Sequence, residues 1–217
     1  MNTNRKERAL ALERADLYPV TSQDYTKGHT TLEIVAAVVA AGCKIVQLRE
    51  KKLSKRAYYE LARQVREITS GILMICNDHL DVALAVGADG VHLGTDDLPV
   101  DQARKLAPEL IIGASSHSRP EALACQAAGA DYVNIGPIFA TKTKEEASLF
   151  VGPAAITEIS PELDIPFTVM GGIKSDNIGQ VLTAGAKIVA VVTAVTQAPD
   201  PRLAAGRLRE IILAARP

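Results

Sequence analysis

The stretch Ala41-Gly42-Cys43-Lys44-Ile45-Val46-Gln47-Leu48-Arg49-Glu50-Lys51 contains a helix end, a strand and a polar strand tip in immediate succession. Gly just past a run of Ala and Val is the residue that takes the left-handed conformation with which helices stop. The apolar run after it, Lys44 to Glu50, is too short for a helix and suits a strand. Its period of two puts Val46 and Leu48 on one face and Gln47, Arg49 and Lys51 on the other. Val46 and Leu48 suit a helix layer, so the polar face points inward.

The same grammar recurs. Val86-Gly87, Ala128-Gly129 and Ala184-Gly185 lead into Gly90 to Gly94, Tyr132 to Pro137 and Ile188 to Thr193. Ile72 to Asp78, Ile111 to Ser115 and Pro166 to Gly172 have the same character, and Leu17 to Ser22 at the front brings the count to eight. Strands this continuously apolar belong to a parallel sheet covered on both faces. Between them lie helical segments with recognisable starts: Thr30 with Glu33 and Ser118 with Glu121 as capping boxes, and Asp200-Pro201 before Leu203, Leu208, Ile211 and Ile212. Eight βα units imply right-handed crossovers and close most naturally into a single-domain (β/α)₈ TIM barrel over residues 17–217. The rival, a doubly wound open sheet, calls for a GxGxxG turn after the first strand, and none follows Leu17 to Ser22.

Composition narrows the function classes. A chain of 217 residues supports one sizeable core. No apolar run approaches the roughly 20 residues of a membrane helix, so no membrane span is expected. A net charge of −1 argues against a nucleic-acid or membrane-surface partner and makes any anion site local. Cys43, Cys76 and Cys125 lack CxxC spacing and sit in apolar or Ala/Gly-rich stretches, which points to the reducing cytoplasm. Met1 to Asp16, charged and without the apolar region of a signal peptide, reads as a short leading helix.

Barrel chemistry sits at the C-terminal ends of the strands. There, inward Arg49 and Lys51 call for an anion or a carboxylate, because an unpaired buried charge is strongly disfavoured; a structural ion pair is the alternative. Asn77-Asp78 and Asp96-Asp97 bring carboxylates from neighbouring strand ends, hard oxygen donors that suit Mg²⁺ beside substrate phosphates. The alternative is that Asp78 and Asp97 cap the helices starting near His79 and after Pro99. The long connection Ile138 to Val151 carries Thr141-Lys142-Thr143-Lys144, either a lid gripping a diphosphate or a solvated basic loop answered by Glu145 and Glu146. Met170-Gly171-Gly172-Ile173, before a helix beginning near Ser175, and Val192-Thr193 occupy the common monophosphate position after strands seven and eight. His117 is placed to act as acid or base, His92 alternates inward, and His29 and His79 read as loop or helix-start residues.

These residues resemble the thiamine-phosphate synthase family, through Gln47-Leu48-Arg49-Glu50-Lys51, Asn77-Asp78, Gly90-Val91-His92-Leu93-Gly94, Gly113-Ala114-Ser115, Thr141-Lys142-Thr143-Lys144 and Gly171-Gly172-Ile173. The match runs from Leu17 to about Ala198, and the order of the motifs on successive strand ends makes it specific. The resemblance implies a cytoplasmic transferase that joins hydroxymethylpyrimidine diphosphate to hydroxyethylthiazole phosphate, giving thiamine phosphate and diphosphate by a dissociative, Mg²⁺-assisted route. It implies that Gln47, Arg49, Lys51 and Asn77 hold the pyrimidine diphosphate, that Asp78 and Asp97 hold Mg²⁺, and that Ser115 and Lys144 contact the diphosphate. Thr141, Thr143, Gly172, Val192 and Thr193 are implied to seat the thiazole phosphate, and Arg49, Lys51, Ser115 and Lys144 to carry catalysis. Thr95 stands where the family usually has Gln, and Ala140 where it usually has Pro.

Three other readings stand beside this one. A thiazole tautomerase-like relative would use His117 for proton transfer without needing Asp78, Asp97, Arg49 and Lys51 together. A non-catalytic sensor of thiazole or thiamine phosphate could dispense with the metal carboxylates. A Schiff-base aldolase needs an inward lysine, whereas Lys44 and Lys187 lie at strand starts. A homo-oligomer remains open.

Overall fold

The computed structural model describes residues 4–141 and 150–216. Eight strands run in parallel: β1 (Leu17–Pro19), β2 (Ile45–Leu48), β3 (Leu73–Asn77), β4 (Gly90–Leu93), β5 (Ile111–Ser116), β6 (Tyr132–Ile135), β7 (Phe167–Val169) and β8 (Ile188–Val191). From β2 to β8 each pairs with its sequence neighbour, and β1 pairs with β8. The remaining seam, β1 to β2, is joined by the Val20–Gln47 bridge, where the Thr21 N–H donates to the Gln47 carbonyl at 2.9 Å. The sheet is therefore a (β/α)₈ barrel.

Its helices are α1 (Arg5–Glu13), α2 (Thr31–Ala40), α3 (Lys55–Ile68), α4 (Leu80–Val86), α5 (Val100–Leu106), α6 (Arg119–Ala127), α7 (Ala154–Ile159), α8 (Ile178–Thr183), α9 (Thr193–Thr196) and α10 (Pro201–Ala214). The four glycine stops read in the sequence all have positive φ: Gly42 at 82°, Gly87 at 63°, Gly129 at 94° and Gly185 at 103°. The Thr30–Glu33 capping box is present, and Asp200 caps α10 by accepting from the Leu203 N–H. Two expected helix starts differ. Ser118 caps α6, but the Glu121 carboxylate turns to the backbone and ring of His117, so the reciprocal half of the box is missing. The helix expected near Ser175 begins at Ile178, because the Asn177 side chain first closes a turn on the Lys174 N–H.

The barrel interior is divided along its axis. Its lower part is apolar, filled by Ile45, Leu73, Ile75, Ile111, Ile188 and Ala190 with Tyr18 and Tyr132, and Leu12 of α1 with Ala15 just after it plugs the bottom. The other strand face, including Val46 and Leu48, packs under the helices. Substrate access is thus confined to the C-terminal end.

Three aspartates, each immediately before a strand, tie the closed end together: Asp16, Asp89 and Asp131. Asp16 pairs with Arg209, Asp89 with Arg66 and Asp131 with Arg104. Asp89 and Asp131 each also accept a buried backbone N–H from the preceding strand, Met74 at 2.9 Å and Ile112 at 2.8 Å. Arg5 and Arg8 of α1 reach Asp131 and Asp89, which fastens the plug.

At the open end, α3 positions the functional strand tips. Buried Tyr58 donates its hydroxyl proton to the Leu48 carbonyl at 2.7 Å and accepts from the Asn77 N–H at 3.1 Å. One phenol thus fixes the ends of β2 and β3, just before Arg49 and Asp78. Leaving those buried groups unsatisfied would cost about 1–3 kcal/mol.

Candidate active site

Gln47, Arg49 and Lys51 line the cleft at the open end, as their alternation requires. Glu50 points the other way and is buried, accepting from the Gln23 N–H at 2.8 Å and the Thr31 hydroxyl at 2.8 Å. With the Arg49 N–H bonded to Thr21 Oγ1 at 3.0 Å, this anchors the two cationic residues on either side of Glu50.

Lys51 forms an ion pair with Asp78. Asp78 is the only non-glycine residue with positive φ among those described, at 62°. Such backbone costs of order 1 kcal/mol, is best tolerated by Asp or Asn, and collects at functional sites. Burial and neighbouring Asp97 push the Asp78 carboxyl above the usual carboxylate range, with Lys51 partly offsetting them. Asp97 accepts from the Gly94 N–H at 2.7 Å. Neither carboxylate caps a helix: His79 and Pro99 occupy the N-caps of α4 and α5 without side-chain bonds. The capping alternative therefore fails, and two carboxylates and a lysine face one another. Among the described residues no trio of His, Cys, Asp or Glu is grouped to hold a metal; the Asp78 and Asp97 oxygens form a pair.

Across the cleft lie His92, Ser115, His117, Asn134, Thr141, Met170, Gly171 and Val192. His92 reaches Ser115 Oγ with Nε2 and the Tyr132 hydroxyl with Nδ1, each at 3.1 Å. His117 Nδ1 faces Glu121 at 3.0 Å. Asn134, not singled out from the sequence, accepts from the Thr168 hydroxyl at 2.9 Å. It shares the inward parity of Tyr132 in an otherwise apolar strand, the same signal that marks Gln47.

The two glycines after β7 have a packing reason. A Cβ on Gly171 would lie 2.5 Å from Pro137 Cβ, and one on Gly172 would lie 2.5 Å from the Ala140 carbonyl oxygen. Hydrogen bonds from Ile138 N to Met170 O and from Phe139 N to Gly171 O complete this seam, which leads directly to Thr141. Gly172 adjoins the cleft-lining Gly171, and Thr193 opens α9 beside cleft-lining Val192. Thr143 and Lys144 lie outside the described residues. The cleft therefore unites Gln47, Arg49, Lys51, Asn77, Asp78, Asp97, Ser115, Thr141 and Val192, drawn from six strand ends.

The sequence profile of thiamine monophosphate synthase matches residues 17–195, the whole barrel through β8 and most of α9. The chain belongs to this family. It is an enzyme, a transferase. The thiamine-phosphate synthase of Pelotomaculum thermopropionicum is 44% identical over 204 residues, covering 93% of this chain and 94% of its own. That of Moorella thermoacetica is 45% identical over 204 residues, with coverages of 93% and 97%. Among solved structures, the thiamine phosphate pyrophosphorylase from Pyrococcus furiosus superposes with a TM-score of 0.86 at 36% identity, covering 94% of this chain and 98% of that one. No helix among the described residues is long and apolar enough to cross a membrane.

Proposed function

We propose that the cleft joins 4-amino-2-methyl-5-hydroxymethylpyrimidine diphosphate to 4-methyl-5-hydroxyethylthiazole phosphate, forming thiamine phosphate and releasing diphosphate. The observation that carries this reading is the convergence of Arg49, Lys51, Asp78 and Asp97 on one cleft. A reaction that expels diphosphate needs positive charge where negative charge develops, and it needs no side-chain nucleophile.

The donor set fits Mg²⁺: two carboxylates with hard oxygens face each other closely enough that Asp97 raises the Asp78 carboxyl. Asp78 and Asp97 would hold the ion, which when bound supplies charge neutralisation on the leaving diphosphate. Arg49 and Lys51 orient the diphosphate as fixed cations. Gln47 and Asn77 hold the pyrimidine end, and Ser115 and Lys144 contact the diphosphate. Once the carbon–oxygen bond breaks, the pyrimidine methylene carries the positive charge and the thiazole nitrogen captures it. Thr141, Thr143, Gly172, Val192 and Thr193 seat the thiazole phosphate so that this nitrogen meets the cation. Residues 17–217 form the catalytic unit, with residues 1–16 as its leading extension. The cytoplasm, where three unbridged cysteines would persist, is the compartment.

The test is to incubate the protein with both substrates, with Mg²⁺ or EDTA, and follow thiamine phosphate as fluorescent thiochrome. Mg²⁺-dependent product that disappears in Asp78→Ala and Arg49→Ala is expected. No product at saturation, with thiazole phosphate still bound, would overturn the reading. It would leave proton transfer, for which Glu121 holds His117 Nδ1 at the edge of the cleft.

A further inference from the structure

Beneath the cleft floor, a single line of hydrogen bonds crosses the barrel from β2 to β5. Gln47 Nε2 donates to the Tyr18 hydroxyl at 3.0 Å, and the Tyr18 and Tyr132 hydroxyls meet at 2.9 Å. Tyr132 reaches His92 Nδ1 at 3.1 Å, and His92 Nε2 reaches Ser115 Oγ at 3.1 Å. Tyr18 and Tyr132 are 1% and 0% exposed, so their hydroxyls are cut off from bulk solvent and bond to the groups around them. Burial also pushes both phenols up from their ordinary range, which keeps them protonated wherever the enzyme works.

A buried hydroxyl has one proton to give, and each must find an acceptor. Tyr18 already accepts from Gln47, so its proton goes to the Tyr132 oxygen. Tyr132 then has one remaining partner for its own proton, His92 Nδ1. A neutral His92 accepting at Nδ1 carries its proton on Nε2 and donates it to Ser115 Oγ. Ser115, now an acceptor on the barrel side, keeps its proton for the cleft. The opposite polarity would require the Gln47 amide to be reversed, and it would spend the Ser115 proton on His92, presenting a lone pair to an anionic ligand.

The barrel is shaped around this line. Gly113 stands opposite Tyr132 in the β5–β6 register, and a Cβ there would lie 2.0 Å from Tyr132 Cζ and 2.4 Å from its hydroxyl oxygen. The His92 ring stacks on Tyr132, with centroids 5.6 Å apart and planes 28° apart.

We infer that Tyr132 is a positioning residue: through His92 it holds the Ser115 hydroxyl as a hydrogen-bond donor aimed at an anionic oxygen of the substrate. The inference rests on the reading of the cleft as a diphosphate site. Its primary test does not, because it concerns the free protein.

In ¹⁵N-histidine-labelled protein without substrate, with His92 assigned by the signal lost in His92→Asn, the expected spectrum has Nε2 protonated and Nδ1 bare. Protonated Nδ1 would overturn the inference whatever the variants do. Tyr132→Phe keeps the ring and removes the hydroxyl that meets Nδ1. It should mix the His92 tautomers and lower kcat about tenfold, the equivalent of one neutral hydrogen bond, while KM for both substrates stays within about twofold. Tyr18→Phe makes a matching buried lesion yet leaves Tyr132 able to donate, so the His92 tautomer should persist. An unchanged kcat in Tyr132→Phe would also refute the positioning role. Absence of thiamine phosphate in the wild type would remove the proposed reaction while leaving the tautomer result intact.

Discussion

Replacing Asp131 with Ala should destabilise the protein severely and spare its chemistry. Asp131 is 8% exposed and sits at the closed end, before β6. Its Oδ2 meets both Arg104, whose side chain is 17% exposed, and the buried Ile112 N–H at 2.8 Å. Its Oδ1 meets Arg5 at 2.7 Å, but that side chain is 43% exposed, so solvent screens most of that pair's contribution. Truncation leaves the Arg104 guanidinium with backbone carbonyls of Gly129 and Leu110 but no counter-charge, and the buried Ile112 N–H without its acceptor, a lesion of about 3–5 kcal/mol. At roughly 2–4 °C per kcal/mol for a chain of this size, Tm should fall by about 6–20 °C. Urea unfolding with thiochrome-detected turnover on the folded fraction measures both quantities. Arg5→Ala, which removes only the screened pair, should cost under about 1 kcal/mol. A loss below about 1 kcal/mol for Asp131→Ala, or a fall in kcat per folded molecule, would refute the division of the barrel into a structural end and a chemical end.

Two further outcomes follow from the cleft. Gly113→Ala forces a methyl into the space of the Tyr132 ring and should cost about 1–3 kcal/mol in urea unfolding, the usual penalty of overpacking a filled core. It should also lower kcat; full stability would mean that Tyr132 can move aside. Lys51→Ala frees Asp78 from its ion pair, so Mg²⁺ affinity measured by calorimetry in the absence of substrate should rise severalfold while KM for the pyrimidine diphosphate increases. Weaker Mg²⁺ binding would show that Lys51 supports the carboxylate pair instead of competing for it.

The barrel was legible because its signals are local. Each helix stop needs a glycine that can take positive φ, and Gly42, Gly87, Gly129 and Gly185 all do. Each strand is mainly apolar because both of its faces are covered, and alternation within β2 sorts Gln47 from Val46 and Leu48. The motifs at the strand ends carry the family resemblance because each is contiguous in the sequence. Local patterns were less reliable where a side chain had a choice of partners. Glu121 bonds His117 instead of completing a box with Ser118, and Asn177 delays α8 by closing a turn on Lys174.

The tertiary structure alone decided what the polar residues do to one another. Taken alone, Asp78 reads first as a helix cap, until its left-handed backbone turns it to Lys51 and Asp97, residues on other strand ends. The Tyr18–Tyr132 contact joins positions 114 residues apart, and the arginine partners of Asp16, Asp89 and Asp131 come from α10, α3 and α5, with α1 adding its own. Periodicity fixes which face a residue occupies, since that follows from its own backbone. Which groups meet across the barrel depends on strand register and closure, which no single segment encodes.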